Sequence, residues 1–385
     1  MRRQRTCFTL ASFCIFAAVT SGQSRTSARP DRIAIDPPPT KTLDLSIGKP
    51  LTDLPAYTVI GSPVQCSATG TTYLDIYADS SSLGVSEFPQ LYSVDHTGAV
   101  RQLRRNLPQN YDRFIVLSTY ANSDGLISLI EAREKKDLMD PKAAKARAFF
   151  IVTSKDDGSS TVPLQLDLKF TPRKLASLAS GRFVILGIDD ANITPILATL
   201  NSDGTLFRIL DFDSRKYNKD SALKGVFNDQ GATNSVTQRH MLAAVSFSMF
   251  VPFGSGVLFV QPASNLPARL IGDYGELKEV RFSTPAGYLM HDILVSDTKR
   301  PLVARLESEA DLRSFAEKHV SENPDQILAE FSRDSGQLVR YIRVKGPQPG
   351  EISCATDNEL TAIYFPEAKD SDKAPDQLIF ATAPM

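Results

Sequence analysis

Hydrophobic residues along this chain come in short runs rich in Val, Ile, Leu, Phe and Tyr, separated by clusters of Gly, Pro, Asp, Asn and Ser. Runs of that length between turn residues predict β-strands. The clearest case is Ile196–Leu200, a turn through Asp203-Gly204, and then Thr205–Asp211. An Asp-Gly pair between two β-type runs is the strongest short-range hairpin signal. Looser copies recur at Asp95–Gly98, Asp156–Gly158, Gly272–Gly275 and Asp334–Gly336. Two stretches break the pattern and predict helices. Residues 133–147 are Ala- and Lys-rich, with Pro141 tolerated at a helix start. Residues 309–320 place Leu312, Phe315, Ala316 and His319 at helical spacing after a capping Ser308.

The strands sort into consecutive units of four. The sixth unit lacks its last strand, and Tyr57–Ile60 is left over ahead of the first. A ring of such units lets the leftover strand complete the last one. This resembles the way β-propellers are closed by sharing one blade between the two termini. The expected fold is therefore all-β: a β-propeller of six four-stranded blades, with the N-terminal strand closing the last blade. Seven blades is the alternative, because residues 213–243 have room for further strands, and two packed β-sandwiches is the competing arrangement. Ser154–Gly158 and Ser332–Gly336 carry the Ser-x-Asp-x-Gly spacing of the Asp box and resemble the turns of sialidase-type propellers. In that family the box is a structural turn, so Asp156 and Asp334 are expected to bond turn amides while glycine takes the positive φ. The aromatic residue usual after the box is replaced here by Thr161 and Val339.

The first residues do not belong to this pattern. Arg2, Arg3 and Arg5 precede an apolar run from Cys7 to Val19, followed by the small residues Thr20, Ser21 and Gly22. That is the layout of a secretory signal peptide, and the run is too short to span a bilayer. The expected organisation is a signal peptide over 1–22, a Pro/Ser-rich linker over 23–56 and the propeller over 57–385. The expected location is periplasmic or extracellular, with no transmembrane segment in the mature chain. Export leaves two cysteines, Cys66 and Cys354, at similar places in the first and last units. An oxidising compartment permits a disulfide between them; the other reading is two small buried thiols.

Composition narrows function mainly by exclusion. A formal net charge of −1 over 385 residues gives no field for nucleic acid. Serine-hydrolase elbows, phosphate-binding loops, dinucleotide fingerprints and His-Glu-x-x-His are absent. None of the 4 histidines has a partner at metal-ligand spacing, so neither metal nor cofactor is expected. The acidic loop Asp189–Thr194 lacks the spaced carboxylates of a calcium loop and reads as a solvated turn. The expected role is a module binding a protein or carbohydrate partner, in an oligomeric state left open. The longer insertions all fall in connections that emerge on one face, so that face is expected to bind. Its candidate contacts are Lys135, Lys136, Asp189, Asp190, Arg239, His240, Arg313 and Lys318. The alternative is a glycan hydrolase or lyase at the channel mouth, using His291 as base with Asp292 beside it.

Overall fold

The structure, a computed structural model, describes residues 35, 37–45, 47–54, 57–67, 69–78, 88–134, 147–191, 194–211, 245, 248–261, 266–294, 302–308, 326–346, 350–356, 358–364 and 378–385. Of residues 57–65, 78, 291 and 350–353 only the backbone is described. Lys135, Lys136, Arg239, His240, Arg313 and Lys318 lie outside these residues. So do both expected helices, apart from the ends of the first, and the stretch 213–243 that a seventh blade would need.

Two short strands come first, β1 (Lys41–Asp44) and β2 (Gly48–Pro50). Blade 1 is built from β3 (Tyr57–Cys66), β4 (Thr72–Ala78), β5 (Gln90–Val94) and β6 (Val100–Leu103). Blade 2 takes β7 (Arg113–Asn122), β8 (Gly125–Arg133), β9 (Ala148–Lys155) and β10 (Leu164–Leu166). Blade 3 has β11 (Thr171–Ser177), β12 (Phe183–Asp189), β13 (Thr194–Leu200) and β14 (Leu206–Leu210). Blade 4 follows with β15 (Met249–Phe253), β16 (Gly256–Val260), β17 (Ala268–Ile271) and β18 (Leu277–Val280). Blade 5 holds β19 (Tyr288–Leu294), β20 (Leu302–Ser308), β21 (Gln326–Phe331) and β22 (Leu338–Lys345). Blade 6 holds β23 (Gly350–Ala355), β24 (Glu359–Tyr364) and β25 (Ile379–Pro384). The protein is a six-bladed β-propeller.

The ring explains why these strands are hydrophobic in continuous runs. Each blade is sandwiched between two neighbours, so its second strand buries both faces: β8 and β12 are buried almost throughout. Solvent reaches the outer strands and parts of the inner ones, such as Arg113 and Ile115 of β7. Apolar clusters fill each gap. Tyr73, Leu91 and Leu126 lie between blades 1 and 2. Leu129, Leu175, Leu197 and Phe259 run through blades 2 to 4. Val251, Leu258, Ile293 and Phe331 join blades 4 and 5. Leu43, Ile342, Leu360 and Ala383 join 5 and 6, and Leu74, Tyr92, Ile363 and Phe380 join 6 and 1.

Closure differs from expectation in which strand performs it. Tyr57–Ile60 pairs with β4 as the first half of a long inner strand of blade 1. The fourth strand of blade 6 is instead β2, antiparallel to β25, with Gly48 opposite Ala381. Immediately before it, β1 adds a fifth, parallel strand to the outer edge of blade 5, with Leu43 opposite Val344. Both lie in the stretch expected to be an extended tether. An edge strand needs little more than backbone donors and acceptors and a few buried side chains. Here Leu43, Leu45 and Leu51 supply the burial among prolines and polar residues. Cys66 and Cys354 form a disulfide, Cα atoms 5.5 Å apart, that ties the inner strand of blade 1 to that of blade 6 across 288 residues.

The hairpins between third and fourth strands reach back over the preceding blade. Tyr73 donates its hydroxyl to Asp156 Oδ1 at 2.6 Å and Arg101 Nη1 donates to the Asp156 carbonyl at 2.9 Å, so blade 1 is bolted to the turn of blade 2. Asp156 thus does not cap its own turn as the Asp-box resemblance implied; the next residue, Asp157, accepts from Ser159 N. In the second box the turn amides of Ser335 and Gln337 are bound by the Ser332 and Ser335 hydroxyls.

Candidate functional site

A surface cavity among the described residues forms where the hairpins of blades 3 and 4 meet. Three tight turns build it. The β11–β12 turn places Ser180 and ends at Arg182, with Gly181 N bonded to Leu178 O at 3.0 Å. The β13–β14 turn places Asn201 and Ser202. It is held by Asp203 Oδ1, which accepts from Thr205 N at 3.0 Å and Thr205 Oγ1 at 2.6 Å. The Thr205 hydroxyl and amide keep the fully exposed Asp203 carboxyl below its ordinary range. The β17–β18 turn presents Asp273 and Tyr274, with Tyr274 N donating to Glu276 Oε2 at 2.9 Å. Gly275 must follow as glycine: its φ is 75°, and a Cβ there would lie 2.9 Å from Leu210 Cδ2 of blade 3.

These turns interlock. Asp273 Oδ1 accepts from the Ser180 hydroxyl at 2.8 Å, and Arg182 Nη1 donates to the Asp273 carbonyl at 2.9 Å. The Arg182 guanidinium lies 4.4 Å from the Phe207 ring centre and 5.0 Å from that of Tyr274. Two aromatic faces therefore hold it in place. Among the described residues Arg182 has no carboxylate within ion-pair distance, and Asp273 Oδ2 takes no partner. The cavity has a volume of about 300 Å³ and is lined by Ser180, Arg182, Asn201, Ser202, Asp273 and Tyr274. Beside it, Tyr274 is 68% exposed and Phe207 41%, and Leu206, Ile209 and Leu277 are exposed too.

Sequence reasoning did not find this site. Its constituents sit in turns and one outer strand that read as ordinary hairpins. The available signal was chemical: Gly272–Gly275 carries a tyrosine where other hairpin turns carry small or charged residues, and Leu206–Leu210 is apolar although it is an outer strand.

The residues singled out from the sequence are dispersed. Asp189 Oδ1 accepts from Ala191 N at 2.9 Å, as a solvated turn would. Asp190 Oδ2 accepts from the Thr171 hydroxyl and lies 3.5 Å from Arg147 Nη2, linking the blade 2 and blade 3 loops on the opposite face. His291 falls at a bulge of β19, between Met290 and Asp292. Bulges also interrupt the inner strands at Val116/Ser118, Pro172/Lys174 and Ile352/Cys354, so the irregularity recurs around the ring. Asp292 lies opposite Arg305, with 4.0 Å between Oδ2 and Nη2. Burial raises its carboxyl above the ordinary range, against the opposing pull of Arg305. Lys174 Nζ donates to the Ser248 carbonyl at 2.6 Å, and burial pulls its ammonium down to about 8. Among the described residues no group of three His, Cys, Asp or Glu side chains could hold a metal, and no helix is long and apolar enough to cross a membrane.

No family model matches the chain, and no curated protein matches it. Solved structures resemble it. A catalytically inactive variant of virginiamycin B lyase from Staphylococcus aureus, with quinupristin, aligns at 11% identity over 88% of this chain and 99% of that one, TM-score 0.39. The Dos1 propeller aligns at 8% identity over 88% and 95%, TM-score 0.33. An exo-beta-1,3-galactanase from Phanerochaete chrysosporium, with beta-1,3-galactotriose, aligns at 9% identity over 83% and 75%, TM-score 0.29.

Proposed function

We propose that this propeller is an exported binding module that holds its partner at the hairpin face of blades 3 and 4. The observation that carries the reading is the group of exposed large apolar side chains on β14 and the following hairpin, next to a polar cavity. Exposed apolar clusters rimmed by polar groups mark interaction sites on soluble proteins. Export is supported by the basic and apolar N-terminal residues and by the disulfide, a bond that persists in oxidising compartments. The test is a photoreactive residue placed at Ile209 and, as control, at Lys278 on the neighbouring outer strand. The full chain, expressed in its source, should give an adduct from position 209 alone. Equal adducts from both positions, or none, overturn the reading.

The loop-bearing face is the second surface. There Asp190 is already engaged with Arg147 and Thr171, and Lys135, Lys136, Asp189, Arg239, His240, Arg313 and Lys318 are its proposed contacts. Alanine replacement of those seven should weaken partner capture if that face is used. An enzymatic reading rests on Asp292, whose raised carboxyl suits a general acid for glycan cleavage, with His291 adjoining. Equal polysaccharide turnover by the native chain and Asp292→Asn removes it.

A further inference from the structure

We infer that the cavity between the hairpins of blades 3 and 4 is a subsite for one neutral hexose unit of a glycan. The inference rests on the binding reading above and adds the chemical class of the ligand. Its first support is the lining. Small-molecule pockets are mostly apolar with a few oriented polar groups. This one reverses the proportion: five of its six lining residues are polar or charged, and the sixth is a tyrosine. Such a lining disfavours an apolar ligand, whose entry would leave those groups without water or partners. It suits a molecule with hydroxyls around its whole edge.

The second support is the placement of open donors and acceptors. Arg182 is fixed by two rings and spends Nη1 on the Asp273 carbonyl, which leaves the rest of the guanidinium edge available. Asp273 is fixed through Oδ1 by Ser180, with Oδ2 open. A rigid donor edge thus adjoins a rigid acceptor. Neighbouring sugar hydroxyls match that pair, one accepting from Arg182 and one donating to Asp273, as charge-assisted bonds. The open Asp273 carboxylate also disfavours an acidic sugar, which it would repel as a like charge in the same cavity. The third support is Tyr274. Its ring is largely exposed, its backbone is held by Glu276, and Arg182 occupies only one of its faces. The other face is a flat platform for the C–H side of a pyranose ring, and the hydroxyl gives it a wet edge. The cavity of about 300 Å³ admits one ring and excludes a folded peptide element.

The test is affinity electrophoresis of the full chain through gels cast with β-1,4-galactan, xyloglucan, mannan or dextran, and with polygalacturonate as the acidic comparison. At least one neutral polymer should retard the protein. Tyr274→Ala should weaken that retardation roughly tenfold and Tyr274→Phe leave it nearly unchanged. Asp273→Asn should weaken it by a similar factor. Unchanged thermal unfolding checks the fold of each variant. Retardation by no neutral polymer, retardation that survives Tyr274→Ala, or retardation by polygalacturonate alone overturns the inference. If the gels fail while position 209 still gives its specific adduct, the hexose assignment falls and the binding module stands. If both fail, both fall.

Discussion

Two outer strands of this ring have opposite fates. In blade 5, β22 is covered by β1, which runs parallel to it and buries Leu43 at 3% exposure. In blade 3, β14 pairs with no further strand among the described residues, and Leu206, Phe207 and Ile209 are exposed. An uncovered sheet edge invites unwanted pairing, and proteins blunt such edges by cover, charge or shortness. Every other blade here uses one of these. Blade 6 ends in the three residues of β2, with Lys49 and Pro50; blade 2 ends in the three residues of β10. Blade 4 ends in β18, with Lys278 and Glu279 at its centre, and blade 1 in β6, with Arg101 and Gln102. The outer strand of blade 3 has a bulge at Phe207 and a single charge, Arg208, among four apolar residues. The difference teaches that the most apolar of the described outer edges lies beside the cavity.

The comparison breaks first if the cover is removed. Deletion through Pro50 strips β1 and β2, takes the buried Leu43 and Leu45 with them, and uncovers the edges of β22 and β25, so stability should fall by several kcal/mol and the chain should self-associate. Calorimetry and light scattering read both effects. Cys66→Ser should cost about 2–5 kcal/mol in denaturant unfolding without changing the far-ultraviolet spectrum, because chain entropy is the main loss. Lys174, on the inner strand of the same blade 3, provides a pH test. Its folded value of about 8 lies below the unfolded value near 10.4, so the unfolded chain binds the proton more tightly between them. Stability should therefore rise as pH climbs from about 8 to 10, by up to about 3 kcal/mol, and Lys174→Met should abolish that rise. The smallest effects fall on the exposed edge. Ile209→Lys should change stability by less than about 0.5 kcal/mol yet abolish the crosslinked adduct formed from a photoreactive residue at position 206. The converse change, Lys278→Ile with Glu279→Ile, should turn β18 into a second adhesive edge, visible as concentration-dependent association.

Much of the ring was legible because its hydrophobic runs and Asp-Gly turns report strands and hairpins directly. Strand identity at closure was not legible. Tyr57–Ile60 has the apolar composition of a closing strand, whereas Gly48–Pro50 has almost none, and pairing at an edge depends on backbone position more than on side chains. The site was hidden for a related reason. Arg182, Phe207 and Tyr274 come from different turns and strands of two blades, and only the angle between blades makes them meet. The Asp-box residues show the same limit: spacing marked Asp156, but its carboxylate is taken by Tyr73 from the neighbouring blade, which no local pattern encodes.

The latch formed by the first strands has a consequence for biosynthesis. Lys41 Nζ bonds the Pro384 carbonyl, 343 residues away, and Thr40 bonds the Tyr341 carbonyl across 301 residues. A ribosome delivers the early segment first, so it must wait, unpartnered, until nearly the whole polypeptide has emerged. Closure is then a late, long-range event, and nascent chains halted before Ile379 would leave blade 6 with a raw border.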